Sequence, residues 1–594
     1  MKHFKYLSIS LLSLIALVGC GANIANNSSN NHDSDPIETV WGDGDANSYD
    51  ELHEKEEAIE VPESFDGTNV STISAAGNYY LKGNFDAISI TAKKDNVVYV
   101  FLDGVTINST TGIAFGSEKA ITLYLVLLNG STNTIVNDHD SNAFHVKGDV
   151  HISGSGTLSV ESKQKNAIKV SKDLYVSDVS IIASGANHAI TARSLVSFDA
   201  SFDVNAKAKD GIQLECDSDV IEFTNEQGYA YLINTNFTSD TFGDGIQAVT
   251  YVYISGGEYN ITTRGEFIPY SAENKALYEL ENDDFKYVIK NGNYVRVAKD
   301  EIRNLNSSYY ALKNSCKGIK VDAIEYTDSN SNTVVADGDY LIYVAHVAFI
   351  NINSSDDCIH ANSGDVKFEN ANFSLDTYDD GVHSDDELYI YDCSIVINSS
   401  YEGLEGRNVT INGTSTNIVA NSIDDGINAA TEEWATSNIY IKNGFIRVYA
   451  SGDGLDANSG LYLQGGTVIV EGPGRMNGSL DSNNIYFEGG LVFACSTSGM
   501  TERMTATQNT FVWQGETIDA NSKVSITDSK NNILFSYTLK QSCNQIIFSS
   551  PDMALQSTYK IVNGSKTVTS ISMSSSLTKS GTSGNQGGPG GGRP

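Results

Sequence analysis

A short acidic phrase returns five times between residues 353 and 457, and its spacing constrains the fold more than anything else in the chain. It reads Asp356-Asp357-Cys358-Ile359-His360-Ala361, then Asp379-Asp380-Gly381-Val382-His383-Ser384. Tyr401-Glu402-Gly403-Leu404-Glu405-Gly406, Asp424-Asp425-Gly426-Ile427-Asn428-Ala429 and Gly452-Asp453-Gly454-Leu455-Asp456-Ala457 follow. The second residues, Asp357, Asp380, Glu402, Asp425 and Asp453, are separated by steps of 23, 22, 23 and 28. A period of this size marks a repeat architecture. Between the phrases lie short β-branched and aromatic runs such as Leu388-Tyr389-Ile390 and Ile439-Tyr440-Ile441, bounded by Gly, Asn, Asp and Ser. Those are strand signals, and no stretch of ten residues here keeps a 3.6 period. One period holds three short strands and three turns. That is a coil of a β-solenoid, with coils stacked in parallel at roughly 4.8 Å. Equivalent positions then form columns. Ile359, Val382, Leu404, Ile427 and Leu455 are expected to point inward, and the acidic column to sit at a turn outside the core.

The strand pattern begins near Phe65. Asn142-Ala143-Phe144, Asn166-Ala167-Ile168, His188-Ala189-Ile190 and Asp210-Gly211-Ile212 share one column at steps of 24, 22 and 22. Asp244-Gly245-Ile246 follows after a longer step of 34. Glycines at Gly154, Gly256, Gly257, Gly465, Gly466, Gly489 and Gly490 suit tight corners between strands. Residues 264–315 break the period and read as an inserted loop or subdomain; the pattern resumes at Lys317-Gly318-Ile319-Lys320. The solenoid is therefore placed at 65–500. Residues 501–573 read as a small antiparallel β unit capping the open end of the stack. The Ser- and Gly-rich stretch 574–594 is expected to be disordered.

At the other end, Lys2 and Lys5 precede the apolar run Leu7 to Val18, too short to span a membrane as a helix. Leu17-Val18-Gly19-Cys20 resembles the bacterial lipobox. Residues 1–19 are then a signal peptide and Cys20 the lipidated first residue of an exported, membrane-anchored protein. Residues 20–64 are polar and acidic and read as a flexible tether. With a net charge of −36 the chain would repel phosphate backbones, which argues against nucleic acid as a partner. Six further cysteines show no CxxC pairing; scattered thiols and one disulfide both remain open.

Carboxylates stacked at about 4.8 Å repel one another unless a cation lies among them. Many hard oxygens, few nitrogens and no thiolate pairs point to calcium. The candidate ligands are Asp356, Asp357, Asp379, Asp380, Glu402, Asp424, Asp425 and Asp453, with Asp385, Glu405 and Asp456 as second choices. The spacing does not fit an EF-hand loop. The competing reading is turn chemistry, in which each side chain bonds local backbone. His360 and His383 are expected to face outward as surface polar groups or contacts.

Several phrases resemble those of a known family: Thr132-Asn133-Thr134-Ile135, Lys317-Gly318-Ile319-Lys320, Ser400-Tyr401-Glu402-Gly403-Leu404-Glu405-Gly406, Gly452-Asp453-Gly454-Leu455-Asp456-Ala457-Asn458 and Ser498-Gly499-Met500. The chain resembles bacterial, calcium-binding, right-handed parallel β-helix proteins that bind cellulose-like and acidic, pectin-like polysaccharides. The resemblance runs from about Tyr79 to Tyr559. It implies an all-β, right-handed parallel β-helix with coils of 22–24 residues, calcium sites and glycan binding without established turnover. Cys358, where the pattern has a small residue, and the long 264–315 insertion depart from it. A lipid-tethered polysaccharide binder, with columns of Tyr, Asn and Ser against the sugar, is the leading reading. A calcium-dependent lyase or pectin hydrolase on the same fold, or a structural adhesin, are the alternatives. Ser355-Asp356-Asp357 looks like the paired-Asp motif of polygalacturonases, yet the Gly-His-Gly and Arg-Ile-Lys of those enzymes are missing. A lyase would need a base near the metal, for which Lys367, Arg407 and Lys442 are candidates. The sequence leaves the oligomeric state open.

Overall fold

The computed structural model describes residues 52–271, 273, 285–290, 293–298, 304–328, 331–430, 436–473, 477–497 and 503–581. No α-helix occurs among them, and they form a right-handed parallel β-solenoid with a β cap. One coil shows how the sequence makes it. Val150–Gly154, Thr157–Ser162 and Ile168–Val170 are three strands, and Leu174 then lies in register beside Val150. Alternate residues of each strand turn inward, so each run reads apolar at every second position. Repeating the coil builds three parallel sheets around one continuous Ile, Val, Leu and Phe core.

The first sheet is built of short strands, from Thr72–Ile73 through Ile168–Val170, Ile319–Val321 and Ile359–Ala361 to Leu480–Ser482, with Val382–Tyr391 and Leu404–Asn412 running on from it into the second sheet. Ile359, Val382, Leu404, Ile427 and Leu455 pair in register here, each fully buried, as the inward column requires. The second sheet carries an outward aromatic column. The Tyr99, Tyr124, His151 and Tyr175 rings stack at 4.7, 4.3 and 4.6 Å, and Tyr440, Tyr462 and Tyr486 at 4.7 Å each. Ring faces are covered by neighbouring rings, so these columns offer edges and hydroxyls to a sugar rather than open faces. The corner between the second and third sheets takes a positive φ: Gly154 at 117°, Gly466 at 72° and Gly490 at 73°. Where glycine is missing, Asp178, Asp199, Asn234 and Asp392 adopt φ of 48–59°, a conformation Asn and Asp tolerate best.

Among the described residues, three excursions from the coils carry strands or a loop of their own. Phe267–Pro269, Phe285–Lys290, Asn293–Ala298 and Tyr309–Leu312 form a small antiparallel sheet within the 264–315 insertion. Ile319 then resumes the solenoid, pairing with Ile246 on one side and Ile359 on the other. The step of 34 between Asp210 and Asp244 is a loop of residues 215–228. A third excursion carries the hairpin Glu325–Thr327 and Thr333–Val335.

At the carboxyl end, Leu491–Ser496 pairs antiparallel with Cys543–Ser549, which in turn pairs with Thr510–Ile518. A second antiparallel sheet packs there with its own core, including Phe493, Trp513, Ile546 and Phe548. Cys543–Ser549 covers the edge that Leu491–Ser496 would otherwise expose. Leu577–Gly581 adds a parallel strand to Thr510–Gln514, so residues 574–581 belong to the cap and not to a disordered tail. Residues 582–594 lie outside the described residues. So do the signal peptide, Cys20 and the tether as far as residue 51. The rest of the expected tether runs along the solenoid. His53 stacks on Tyr229 at 4.9 Å, Lys55 bridges Asp178 and Asp199 at 2.6 and 2.7 Å, and Glu56 meets His151 at 2.9 Å. Side chains far away in sequence hold this polar segment where composition alone predicts a free chain. Cys216, Cys316, Cys358, Cys393, Cys495 and Cys543 are all free thiols.

Candidate functional site

The acidic column lies at the turn entering the short-strand sheet, and its side chains are shaped by the coil that follows. Asp380 N–H donates to Asp357 Oδ1 at 2.9 Å, Glu402 N–H to Asp380 Oδ1 at 3.0 Å, and Asp453 N–H to Asp425 Oδ1 at 2.5 Å. Gly478 N–H closes the series on Asp453. The same bond runs upstream, where Asp244 N–H donates to Asp210 at 2.8 Å and Lys317 N–H to Asp244 at 2.6 Å. The competing turn reading has these side chains bond local backbone, whereas these bonds reach the backbone of the next coil. They also draw the carboxyls in: Asp357 is 2% exposed, Asp380 6% and Asp453 8%, where the sequence suggested a column outside the core. Glycine follows each of these acids except Asp357, which Cys358 follows, and it suits the close meeting of the coils. A Cβ at Gly403 would lie 2.2 Å from the Gly426 carbonyl oxygen.

With one oxygen of each ladder member on the next coil, the others converge in groups. Carboxylate oxygens of Asp356, Asp357 and Asp379 lie within 4.8 Å of one another, as do those of Asp425, Asp453 and Asp456. Asp380 gathers with His383 and Glu405, and Asp385 with His360 and His383. Glu402 accepts from Asn428 at 2.9 Å, and Asp424 from the Tyr401 hydroxyl at 2.8 Å. Nine of the eleven sequence-derived residues thus fall into a run of adjoining groups rather than one site, and Glu402 and Asp424 lie outside these groups.

Two ends of this run differ in charge. At one, the Lys317 ammonium contacts Asp357 and lies 3.1 Å from Asp356. His360 Nδ1 meets Asp357 at 2.6 Å. Burial alone would raise the Asp357 carboxyl, but Lys317 and His360 outweigh it and hold it well below the usual range. Burial would likewise lower Lys317, yet Asp357 and Asp356 push it above the ordinary lysine value. In the middle, His383 stacks on His360 at 4.4 Å and contacts Asp380, Glu405 and Asp385 at 3.1, 2.8 and 3.2 Å. These carboxylates overcome the cost of its burial and raise the imidazole well above its normal value. The two histidines fold back onto the acids instead of facing solvent.

At the other end the balance reverses. Burial, then Asp456, Asp424 and Asp453, push Asp425 up to about 9. Burial pushes Asp453 up to about 7, with Asp456 and Asp481 adding to it against the Gly478 hydrogen bond. Burial, Glu405 and Asp380 raise Glu402 well above its usual value. Among the described residues no Lys or Arg forms an ion pair with Asp424, Asp425 or Asp453. Clustered hard oxygens whose ionisation is suppressed by one another suit a divalent cation such as calcium. The Lys317 end suits one less, because a protein cation already sits there.

Sequence reasoning missed Lys317 as a partner of the acids. The signal was present, since Lys317-Gly318-Ile319 occupies the register of Asp357-Cys358-Ile359 one coil earlier. The suggested bases lie elsewhere. Lys367 pairs with Asp365 on the aromatic sheet, Arg407 with Asp386 and Glu387, and Lys442 is exposed beyond Ile441.

No curated protein matches the chain. A solved polysaccharide lyase-like protein from C. thermocellum, a gadolinium derivative, aligns with 21% identity over 32% of this chain and 79% of that one, at a TM-score of 0.28. The family model described as carbohydrate-binding domain-containing protein matches residues 66–381 and 375–564, which takes in most of the solenoid and its cap. The chain belongs to this carbohydrate-binding domain family.

Proposed function

We propose that the protein holds an acidic, pectin-like polysaccharide on its short-strand face through calcium bound to the acidic column, without turning it over. The observation that carries this is the group of Asp425, Asp453 and Asp456 with Asp424 beside it, where half-buried to buried carboxylates meet and no lysine or arginine pairs with Asp424, Asp425 or Asp453 among the described residues. Calcium would take its oxygens from these side chains, with Asp380, Glu402 and Glu405 the next set along the column. Carboxylates on the protein and carboxylates on the polymer attract only through bridging cations, so along the acidic column metal and sugar recognition would be one event. The outward positions beside the acids, Glu405, Asn428 and Asp456, are polar and continue in register from coil to coil.

Binding without catalysis is supported by the amine nearest the acids. A lyase needs an unprotonated base beside the uronate α-proton. Asp356 and Asp357 instead hold Lys317 in its charged form. The lipobox-like Leu17-Val18-Gly19-Cys20 supports an exported protein anchored at the membrane by the Cys20 lipid.

The test is retention of the purified full chain on polygalacturonate and on cellulose, in calcium and then in chelator, while unsaturated uronates and reducing ends are followed. Calcium-dependent retention on polygalacturonate without product supports the proposal. Product that disappears in Lys317→Ala would make the protein an enzyme. Retention on cellulose alone would replace the acidic glycan with a neutral one.

A further inference from the structure

The short-strand face changes character toward its amino-terminal end. Between residues 163 and 209 the chain has seven Lys and Arg against four Asp, in a protein of net charge −36. An open basin of about 480 Å³ lies there, lined by Lys169, Thr191, Arg193, Lys209 and Gln213. Its wall is the start of the 215–228 loop, the excursion that lengthens this coil. Arg193 is fixed by Asp173 at 2.9 and 2.5 Å and reaches Asp217 at 3.4 Å. Lys163, Lys165 and Lys172 are paired with Asp138, Asp140 and Asp149. Lys169 and Lys209 both face the basin, and neither has an ion-pair partner among the described residues. The acids facing the basin are Asp217, which meets Arg193, and Glu215.

The basin lies on the same outward column as the acidic clusters. Lys169, Thr191 and Gln213 are in register, and Gln247, Lys320, His360, His383, Glu405, Asn428 and Asp456 continue the line. Nine coil steps separate Lys169 from Asp456, roughly 43 Å along the stack at the usual strand spacing. A polyuronate lying along this face would meet ammonium groups directly at one end and carboxylates that need a bridging cation at the other. Short hydroxyl and amide side chains between them, Thr191, Gln213 and Gln247, suit sugar hydroxyls.

We infer that the basin at Lys169 and Lys209 is a second subsite, which takes a carboxylated sugar of the same polymer without any metal. The inference rests on reading this face as the polysaccharide-binding face, and its test separates the two claims. Binding of the full chain to polygalacturonate is measured by affinity electrophoresis in chelator and in calcium, at low and raised salt, with a neutral cello-oligosaccharide as comparison. The expected result is weak retention in chelator that falls with salt. Lys169→Ala with Lys209→Ala should weaken that retention roughly tenfold and leave the calcium-dependent gain in place. Asp425→Asn with Asp453→Asn should do the reverse. Both lysines are exposed, so their loss does not threaten folding. No retention in chelator, or chelator-phase retention unchanged by the lysine substitutions, overturns the inference while leaving the calcium proposal standing. Chelator-phase retention that depends on the lysines, with no gain from calcium, keeps the basin and removes the calcium reading. Equal retention of the neutral oligosaccharide in chelator also overturns it, since the recognised group would not be the carboxylate.

Discussion

Asp453 donates its backbone N–H to Oδ1 of Asp425, one coil earlier, at 2.5 Å, and the two carboxyls then share a half-buried to buried cluster with Asp456. The bond gives Asp425 two separable jobs: an acceptor that registers the coils, and a charge that asks for a cation. Asp425→Asn keeps the acceptor and removes the charge. Without metal, near pH 7, it should raise stability by roughly 1–4 kcal/mol, because Asp425 must take up a proton to sit beside Asp424 and Asp453 whereas Asn is neutral in both states. Asp425→Ala removes both and should lower stability. Denaturant melts of the two variants in chelator check this, and identical behaviour of Asn and Ala would dismiss the ladder. Calcium affinity should fall in both.

The same charges set a pH dependence. Asp425 is raised to about 9, and Asp453 and Asp380 to about 7, all above their unfolded values. A carboxyl with a raised folded-state pKa favours the fold fully below its unfolded pKa, and that contribution disappears as pH rises through the folded value. The metal-free protein should therefore lose stability between about pH 4 and pH 9. Calcium should flatten that slope by compensating the charges. Thermal melts across this range with and without chelator measure it. A melting temperature in chelator that is level or rises with pH would count against the buried cluster.

Much of this was legible from spacing. The phrase period gave the coil, and the register of Ile359, Val382 and Leu404 gave the inward column, because parallel stacking puts like residues on like. Glycine corners were readable for the same reason, though Asp178, Asp199 and Asn234 fill the corner in other coils. Burial of the acids was not readable, since the direction of Asp357 is set by the N–H of Asp380, 23 residues on. The segment at His53 and Lys55 was misread because its partners, Tyr229, Asp178 and Asp199, lie more than a hundred residues away. Leu577–Gly581 was hidden by its Ser-rich surroundings, and its place is fixed by the open edge of Thr510–Gln514.

Close stacking behind the acids gives a steric prediction. Gly403→Ala puts a Cβ about where the Gly426 carbonyl oxygen leaves no room, 2.2 Å away, and backbone cannot yield as a flexible side chain would. The coils must part locally, at a cost of about 1–3 kcal/mol. Because Asp425 and Glu402 flank the contact, calcium affinity should weaken with stability. Denaturant midpoints and calcium titrations, read together, check both. A substitution without effect on either would show that the coils sit farther apart than this.

Lys317 offers the sharpest experiment on the column. Its ammonium contacts Asp357 and lies 3.1 Å from Asp356, with Asp379 grouped beside them. Removing one partner of a buried ion pair leaves an uncompensated charge and costs about 3–5 kcal/mol. Lys317→Met should therefore destabilise the protein strongly in chelator. The three carboxylates it leaves behind are oxygen donors converging within 4.8 Å, the kind of set that calcium prefers. Calcium should restore most of the lost stability, and equilibrium dialysis should find one more bound ion per chain than in the parent protein. Lys317→Arg, which keeps the charge, should gain no ion. If Lys317→Met is equally destabilised with and without calcium and binds no extra ion, the acids at that end serve the ladder alone, and the metal reading contracts to the Asp425 and Asp453 end.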